Sequence, residues 1–181
     1  MKNIFLISFI FVSSLSFSQK EGQNFCKGIV GGSYFPLDIK NKKIFWYDTY
    51  YFEEQLATKE RNGKIYLEYK QTWKDGHSDL LYLRNDKEKV LQFENGFENE
   101  TIRFDSQFEI NHSWENADKT AVYTILSYNG KLKTPYCNYE NLLIIEAKYK
   151  SVTFKFYYLK GLGYIGATKN NQLISYITPE I

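Results

Sequence analysis

The 181-residue chain sets 23 Lys and Arg against 21 Asp and Glu and holds only two His and two Cys, yet it has 16 Tyr, 14 Phe and 3 Trp. A formal charge of +2 gives no electrostatic footprint for a nucleic acid, and so few His and Cys leave little material for a metal enzyme. An aromatic share of 18% excludes a disordered chain, while 24% charged residues and a mean hydropathy of -0.47 exclude a polytopic membrane protein.

The first element is an export signal. Lys2 precedes the apolar run Ile4-Phe5-Leu6-Ile7-Ser8-Phe9-Ile10-Phe11-Val12, which is too short to span a ~30 Å hydrocarbon core as a helix. Ser16 and Ser18 supply the small residues needed before a cleavage site, which disfavours an uncleaved anchor. The expected signal peptide is 1–18, with cleavage between Ser18 and Gln19, leaving 19–181 as a single all-β domain. Cys26 lies eight residues past Ser18, too far for a bacterial lipoprotein anchor. The Leu15-Ser16-Phe17-Ser18-Gln19 ending resembles signal peptides of Bacteroidetes-type bacteria, which implies a periplasmic or secreted protein. An oxidising compartment favours a disulfide between Cys26 and Cys137, with two buried free thiols as the alternative.

Beyond the flexible loop around Gly28, Gly31 and Gly32, the apolar residues recur with a period of two. Strands are expected at 43–52, 55–61, 64–73, 78–84, 89–93, 98–104, 120–128, 131–134, 142–149, 151–159, 164–168 and 172–177. In the third of these, Ile65, Leu67, Tyr69 and Trp73 share one face and Glu68, Lys70 and Thr72 the other. Leu143, Ile145, Ala147 and Tyr149 align likewise, as do Val152, Phe154, Phe156 and Tyr158, with a hairpin near Lys150 between them. Asn62-Gly63, Asp75-Gly76, Asn95-Gly96 and Asn129-Gly130 read as the hairpin turns of a meander. The 86–93 run fits a short helix or a strand and is taken as strand, and 105–119 is the longest stretch without alternation. The expected fold is all-β, a single antiparallel meander curled into a half-open or flattened barrel.

Candidate chemistry is sparse. Gly161, Gly163 and Gly166 match the spacing of a dinucleotide loop, but the chain reaches another turn at Asn170-Asn171 before a helix can form, so a bent or bulged strand is expected. His77 and His112 have no partner spacing that marks a hydrolase or a metal site. Glu53-Glu54 and the pair Glu98 and Glu100 do not read as a glycosidase dyad, and the latter two read as the wet face of a strand. The sequons at Asn99 and Asn111 are chance matches in a bacterial protein. No catalytic, metal or cofactor residue is assigned. The aromatic stretch Phe45-Trp46-Tyr47-Asp48-Thr49-Tyr50-Tyr51-Phe52 is unusual, with Trp46, Tyr50 and Phe52 expected on one face and Phe45, Tyr47 and Tyr51 on the other. Core packing is the plainer account; a ligand-lining role for Trp46, Tyr50 and Phe52 is the functional one.

Three segments carry a resemblance. Tyr34-Phe35-Pro36-Leu37 with Ile44-Phe45-Trp46-Tyr47, then Asn138-Tyr139-Glu140-Asn141-Leu142-Leu143-Ile144-Ile145, then Phe156-Tyr157-Tyr158-Leu159-Lys160-Gly161-Leu162-Gly163-Tyr164-Ile165 resemble an exported bacterial β-protein family of unknown function. That group is similar to the half-open barrel of periplasmic lipoprotein-carrier proteins. Tyr164 stands where the pattern usually has an aliphatic residue. The resemblance supports the fold and leaves the activity open; with the aromatic excess it motivates the leading expectation, a non-catalytic cell-envelope binding protein that holds an apolar small molecule, a lipid or a lipid-modified partner in a concave sheet. The alternative is a structural or protein-interaction component of the envelope that adds a partner's strand to a sheet edge. A hydrolase of envelope polymers is the least favoured reading, and neither nucleic acid nor membrane insertion is expected.

Overall fold

The computed structural model describes residues 24–179; the expected signal peptide lies outside them. Twelve strands form one antiparallel sheet: β1 (Asn41–Trp46), β2 (Thr49–Arg61), β3 (Lys64–Trp73), β4 (Ser78–Asp86), β5 (Lys89–Phe93), β6 (Thr101–Asp105), β7 (Ser113–Glu115), β8 (Ala121–Lys133), β9 (Asn138–Tyr149), β10 (Thr153–Leu159), β11 (Gly163–Lys169) and β12 (Gln172–Ile177). No helix occurs among the described residues. The spatial order is β6-β5-β4-β3-β2-β1-β12-β11-β10-β9-β8-β7, so two six-stranded meanders are spliced where the first strand pairs with the last. The two edges, β6 and β7, are consecutive in the chain, and the sheet curls until they face each other as a nearly closed barrel with one unsealed seam. Side chains bridge that seam: the Trp114 indole N–H donates to the Ile102 carbonyl at 2.7 Å, and the Ala117 amide donates to the Thr101 hydroxyl at 2.8 Å.

The period-two reading located most strands but misplaced two turns. The stretch expected as one strand at 43–52 is cut at Tyr47-Asp48, where Tyr47 takes φ 54° and the chain reverses into β2. A turn without glycine or asparagine lacks the usual hairpin signal. The expected break between 52 and 55 does not exist, because β2 is continuous through Arg61. Asn129-Gly130 is the opposite error. It lies inside β8, where Gly130 pairs with Leu142 among register shifts, so the segments expected at 120–128 and 131–134 are one bulged strand. β7 went unpredicted, being only three residues long. By contrast, Asn62-Gly63 makes the expected tight turn with φ of 50° and 72°, and β9 and β10 form the expected hairpin.

The barrel interior collects Phe35, Ile125, Leu143, Ile145, Phe156 and Tyr158 into one apolar cluster. One end is closed by the strap before β1. Phe35 stacks on Tyr158 at 4.3 Å and on Phe104 at 5.2 Å, and the Leu37 carbonyl accepts from both Gln55 Nε2 at 2.7 Å and the Tyr69 hydroxyl at 2.9 Å. A second cluster lies outside, where the far end of the β8–β9 hairpin folds over β10 and β11. Tyr157 points away from its inward neighbours Phe156 and Tyr158, and Leu132 comes so near Gly166 that a Cβ there would sit 3.1 Å from its Cδ2. Cys137, next to this hairpin end, is bonded to Cys26, with a Cα–Cα separation of 5.5 Å. The bond closes a loop 111 residues apart in sequence and ties the N-terminal segment to the far end of the β8–β9 hairpin.

Of the pair expected on a wet strand face, Glu98 is exposed but lies outside any strand, whereas Glu100 packs against the outer side of β3 and β4. Glu100 is mostly buried and accepts from Lys64 Nζ at 2.6 Å, the Tyr66 hydroxyl at 2.7 Å, and Arg84 Nε and Nη2 at 2.7 and 2.8 Å. These bonds, the Arg84 pair above all, pull its carboxyl down to about 2, against the opposing effect of burial.

Two predictions follow from these anchors. Replacing Cys26 and Cys137 by Ser is expected to lower unfolding stability by about 4 to 5 kcal/mol, the chain-entropy value for so long a loop. Equal urea midpoints for the wild type with and without reductant would overturn the bond. Because the Glu100 pKa is depressed in the folded state, its stabilisation is present above about pH 4.5 and fades as pH falls towards 2. Glu100→Gln is therefore expected to cost about 2 to 3 kcal/mol at pH 7 and much less at pH 3, read from urea unfolding at both. A cost independent of pH would remove the charge from the account.

Candidate functional site

The barrel holds a half-open pocket of 170 Å³ between the strap and the strand ends opposite it. Its walls come from both meanders. β1 and β2 supply Lys42, Ile44, Trp46, Tyr51 and Glu53; β3 and β4 supply Tyr69, Gln71, Leu81 and Leu83; β10 and β11 supply Phe156, Tyr158 and Tyr164. Phe35, Pro36 and Leu37 of the strap form the floor, and Arg103 enters from β6 beside the seam. A second cavity of 50 Å³ shares Arg103, Phe156 and Tyr158 and adds Tyr123, Ile145 and Tyr149. Inward direction follows from register: Lys42 faces Glu53, Ile44 faces Tyr51, and Tyr51 faces Trp73 across β2 and β3. At the end away from the strap, half-exposed rings meet as a rim, with Trp46 against Phe154 at 6.2 Å, Tyr149 against Phe154 at 6.1 Å and Tyr51 against Trp73 at 4.7 Å.

Three formal charges stand among these aromatic walls. Lys42 Nζ lies 3.9 Å from Glu53 Oε1, both side chains mostly buried, and Gln71 Nε2 donates to Glu53 Oε2 at 2.8 Å. Burial lowers the Lys42 pKa, and the Glu53 charge works against that shift. Arg103 forms no ion pair among the described residues. The phenols remain neutral donors. Burial pushes Tyr158 up to about 12, with Arg103 pulling the other way, and burial likewise raises Tyr51, Tyr69 and Tyr164. The Tyr164 hydroxyl donates to Ser175 Oγ at 2.7 Å, whereas the Tyr51 hydroxyl makes no hydrogen bond to a described residue. The interior is thus an aromatic box with one neutralised ion pair and one extra cation. No nucleophile and base face each other here.

Trp46, Tyr50 and Phe52, expected to share a face, are separated by the turn at Tyr47-Asp48. Trp46 lines the cavity. Tyr50 and Phe52 lie on the outer surface, where Lys43 sits over the rings of Phe45, Tyr50 and Phe52 at 5.7, 5.0 and 5.5 Å. Gly161 and Gly163 take φ of 77° and 80° around the β10–β11 turn, and Gly166 lets β11 approach β12, since a Cβ there would meet the Ser175 carbonyl at 2.5 Å. No helix follows, so the glycines serve turn and packing. His77 is exposed and bonds to Asp75 at 2.6 Å; His112 is exposed and stacks on Phe108 at 3.8 Å. No cluster of His, Cys, Asp and Glu suited to a metal ion occurs among the described residues.

Sequence reasoning missed Lys42, Gln71, Arg103 and the inward role of Glu53. The cross-strand pairing of Lys42 with Glu53 becomes visible only once the turn at Tyr47-Asp48 is placed. Arg103, flanked by Ile102 and Phe104, reads as a solvated residue under simple alternation.

The comparisons with known proteins add no identity: no family model, curated protein or solved structure matches the chain.

The buried pair generates a prediction. Lys42→Met leaves the Glu53 carboxylate with only Gln71 as a close partner and is expected to cost about 3 kcal/mol, while Lys42→Met with Glu53→Gln recovers most of that loss. Additive losses in the double variant, measured by urea unfolding, would show that the two charges are not coupled.

Proposed function

We propose that this protein is a non-catalytic binding protein of the cell envelope whose barrel holds a small apolar ligand. The observation that carries the reading is the half-open aromatic pocket of 170 Å³. Its size selects the ligand. An apolar cavity of about 150 Å³ takes up benzene, whereas sites for drug-sized molecules run from about 300 Å³ upward. One ring fits such a space, and a lipid chain or the lipid of a modified partner needs more. The disulfide supports export to an oxidising compartment, in keeping with the signal peptide read from the sequence and with the resemblance to exported carrier barrels. Strand addition at a sheet edge, the rival reading, finds less support: the free edges are strands of five and three residues, already bridged by Trp114 and Thr101.

Toluene and benzyl alcohol are expected to raise the unfolding midpoint in a concentration-dependent way, by about 2.7 kcal/mol of stabilisation at a hundredfold excess over the dissociation constant. Leu83→Trp, which places bulk in the cavity, should abolish that gain while keeping a sheet-type dichroism spectrum. A wild-type midpoint unmoved by either compound would sink the reading.

A further inference from the structure

Resting on that reading, we infer that the ligand is a monoanion, a carboxylate carried on a single aromatic or similarly sized ring, and that Arg103 is the residue that receives its charge. Of the three charged side chains that line the cavity, Lys42 and Glu53 neutralise each other at 3.9 Å, and Gln71 fills a further acceptor site on Glu53 at 2.8 Å. Arg103 is the excess. It projects from β6 into both cavities, forms no ion pair among the described residues, and is walled by Phe156, Tyr158, Tyr123 and Tyr149. A guanidinium placed among rings is costly unless an opposite charge meets it. Its planar fork suits two parallel hydrogen bonds to a carboxylate.

The other wall groups restrict the anion further. With Lys42 and Glu53 paired, the interior has one excess positive charge, so one negative charge matches it and a dianion does not. The Tyr51 hydroxyl, which makes no hydrogen bond to a described residue, offers one more donor to a carboxylate oxygen. Phe35, Trp46, Phe156 and Leu83 supply flat and aliphatic surface for the ring. The pocket volume of 170 Å³ suits one ring with a short acidic substituent.

The test compares benzoate, benzyl alcohol and phenyl phosphate at pH 7 by calorimetry or by the change in tryptophan fluorescence. Benzoate is expected to bind roughly 10- to 100-fold more tightly than benzyl alcohol, the range for a hydrogen bond to a charged group, with phenyl phosphate weaker than benzoate. In Arg103→Met the benzoate advantage should vanish while benzyl alcohol affinity changes less than about twofold; Arg103→Lys should retain part of the advantage. The ranking on the unaltered protein needs no variant, so a variant that fails to fold does not remove the test. Benzyl alcohol binding as tightly as benzoate would overturn the assignment of charge and leave the cavity as a neutral site. Phenyl phosphate binding more tightly than benzoate would overturn the monoanion. No binding by any of the three would overturn the binding reading itself.

Discussion

The whole barrel depends on one short splice. The two meanders are each built from neighbours in sequence, but the ladder that joins them is the pairing of β1 with β12, through Ile44 with Ile177, Phe45 with Tyr176 and Trp46 with Ser175. It brings together segments more than 100 residues apart, so its loop-closure cost is met late and by few backbone bonds. Side chains on both surfaces reinforce it. Inside, Ile44 and Ile177 are fully buried and Tyr164 bonds to Ser175; outside, Phe45 stacks on Tyr176 at 5.2 Å with ring planes 9° apart, beneath Lys43. The Cys26–Cys137 bond and the strap add two further ties between the chain's beginning and its C-terminal half.

The legible part of the fold was the part governed by local rules. β3, β9 and β10 carry a period-two apolar pattern in the sequence, and glycine turns with positive φ bound hairpins that the sequence announces, as at Asn62-Gly63. Where local chemistry was silent or misleading, the reading failed. Tyr47 carries a left-handed turn without a glycine, and Asn129-Gly130 looks like a hairpin but is straightened by pairing and bulging against β9. A misplaced turn does more harm than a lost strand end, because every residue after it changes face. That is why Trp46 and Tyr50 were assigned together, and why Lys42 and Glu53 were not paired. Glu100 failed for another reason: the loop before β6 folds back over β3 and β4, a long-range placement that alternation does not encode.

The chemistry the site offers follows from its aromatic walls. Phenols held well above neutral pH by burial donate hydrogen bonds without taking up charge, and the Lys42 and Glu53 pair is already committed. The walls therefore offer shape, ring surface and fixed donors.

Cavity and splice are one structure. Trp46 and Tyr51 come from the first meander, as does Arg103 at its far edge, while Phe156, Tyr158 and Tyr164 come from the second. Neither half encloses the space alone, so the cavity exists only while β1 holds β12 and the seam between β6 and β7 stays bridged. A molecule in that space contacts both halves at once and binds the closed barrel in preference to any opened form, which couples occupancy to closure by mass action. The cost of keeping Arg103 among rings then falls on the empty state. Occupancy by an anion would lower that cost at the place where the sheet has no backbone ladder to close it.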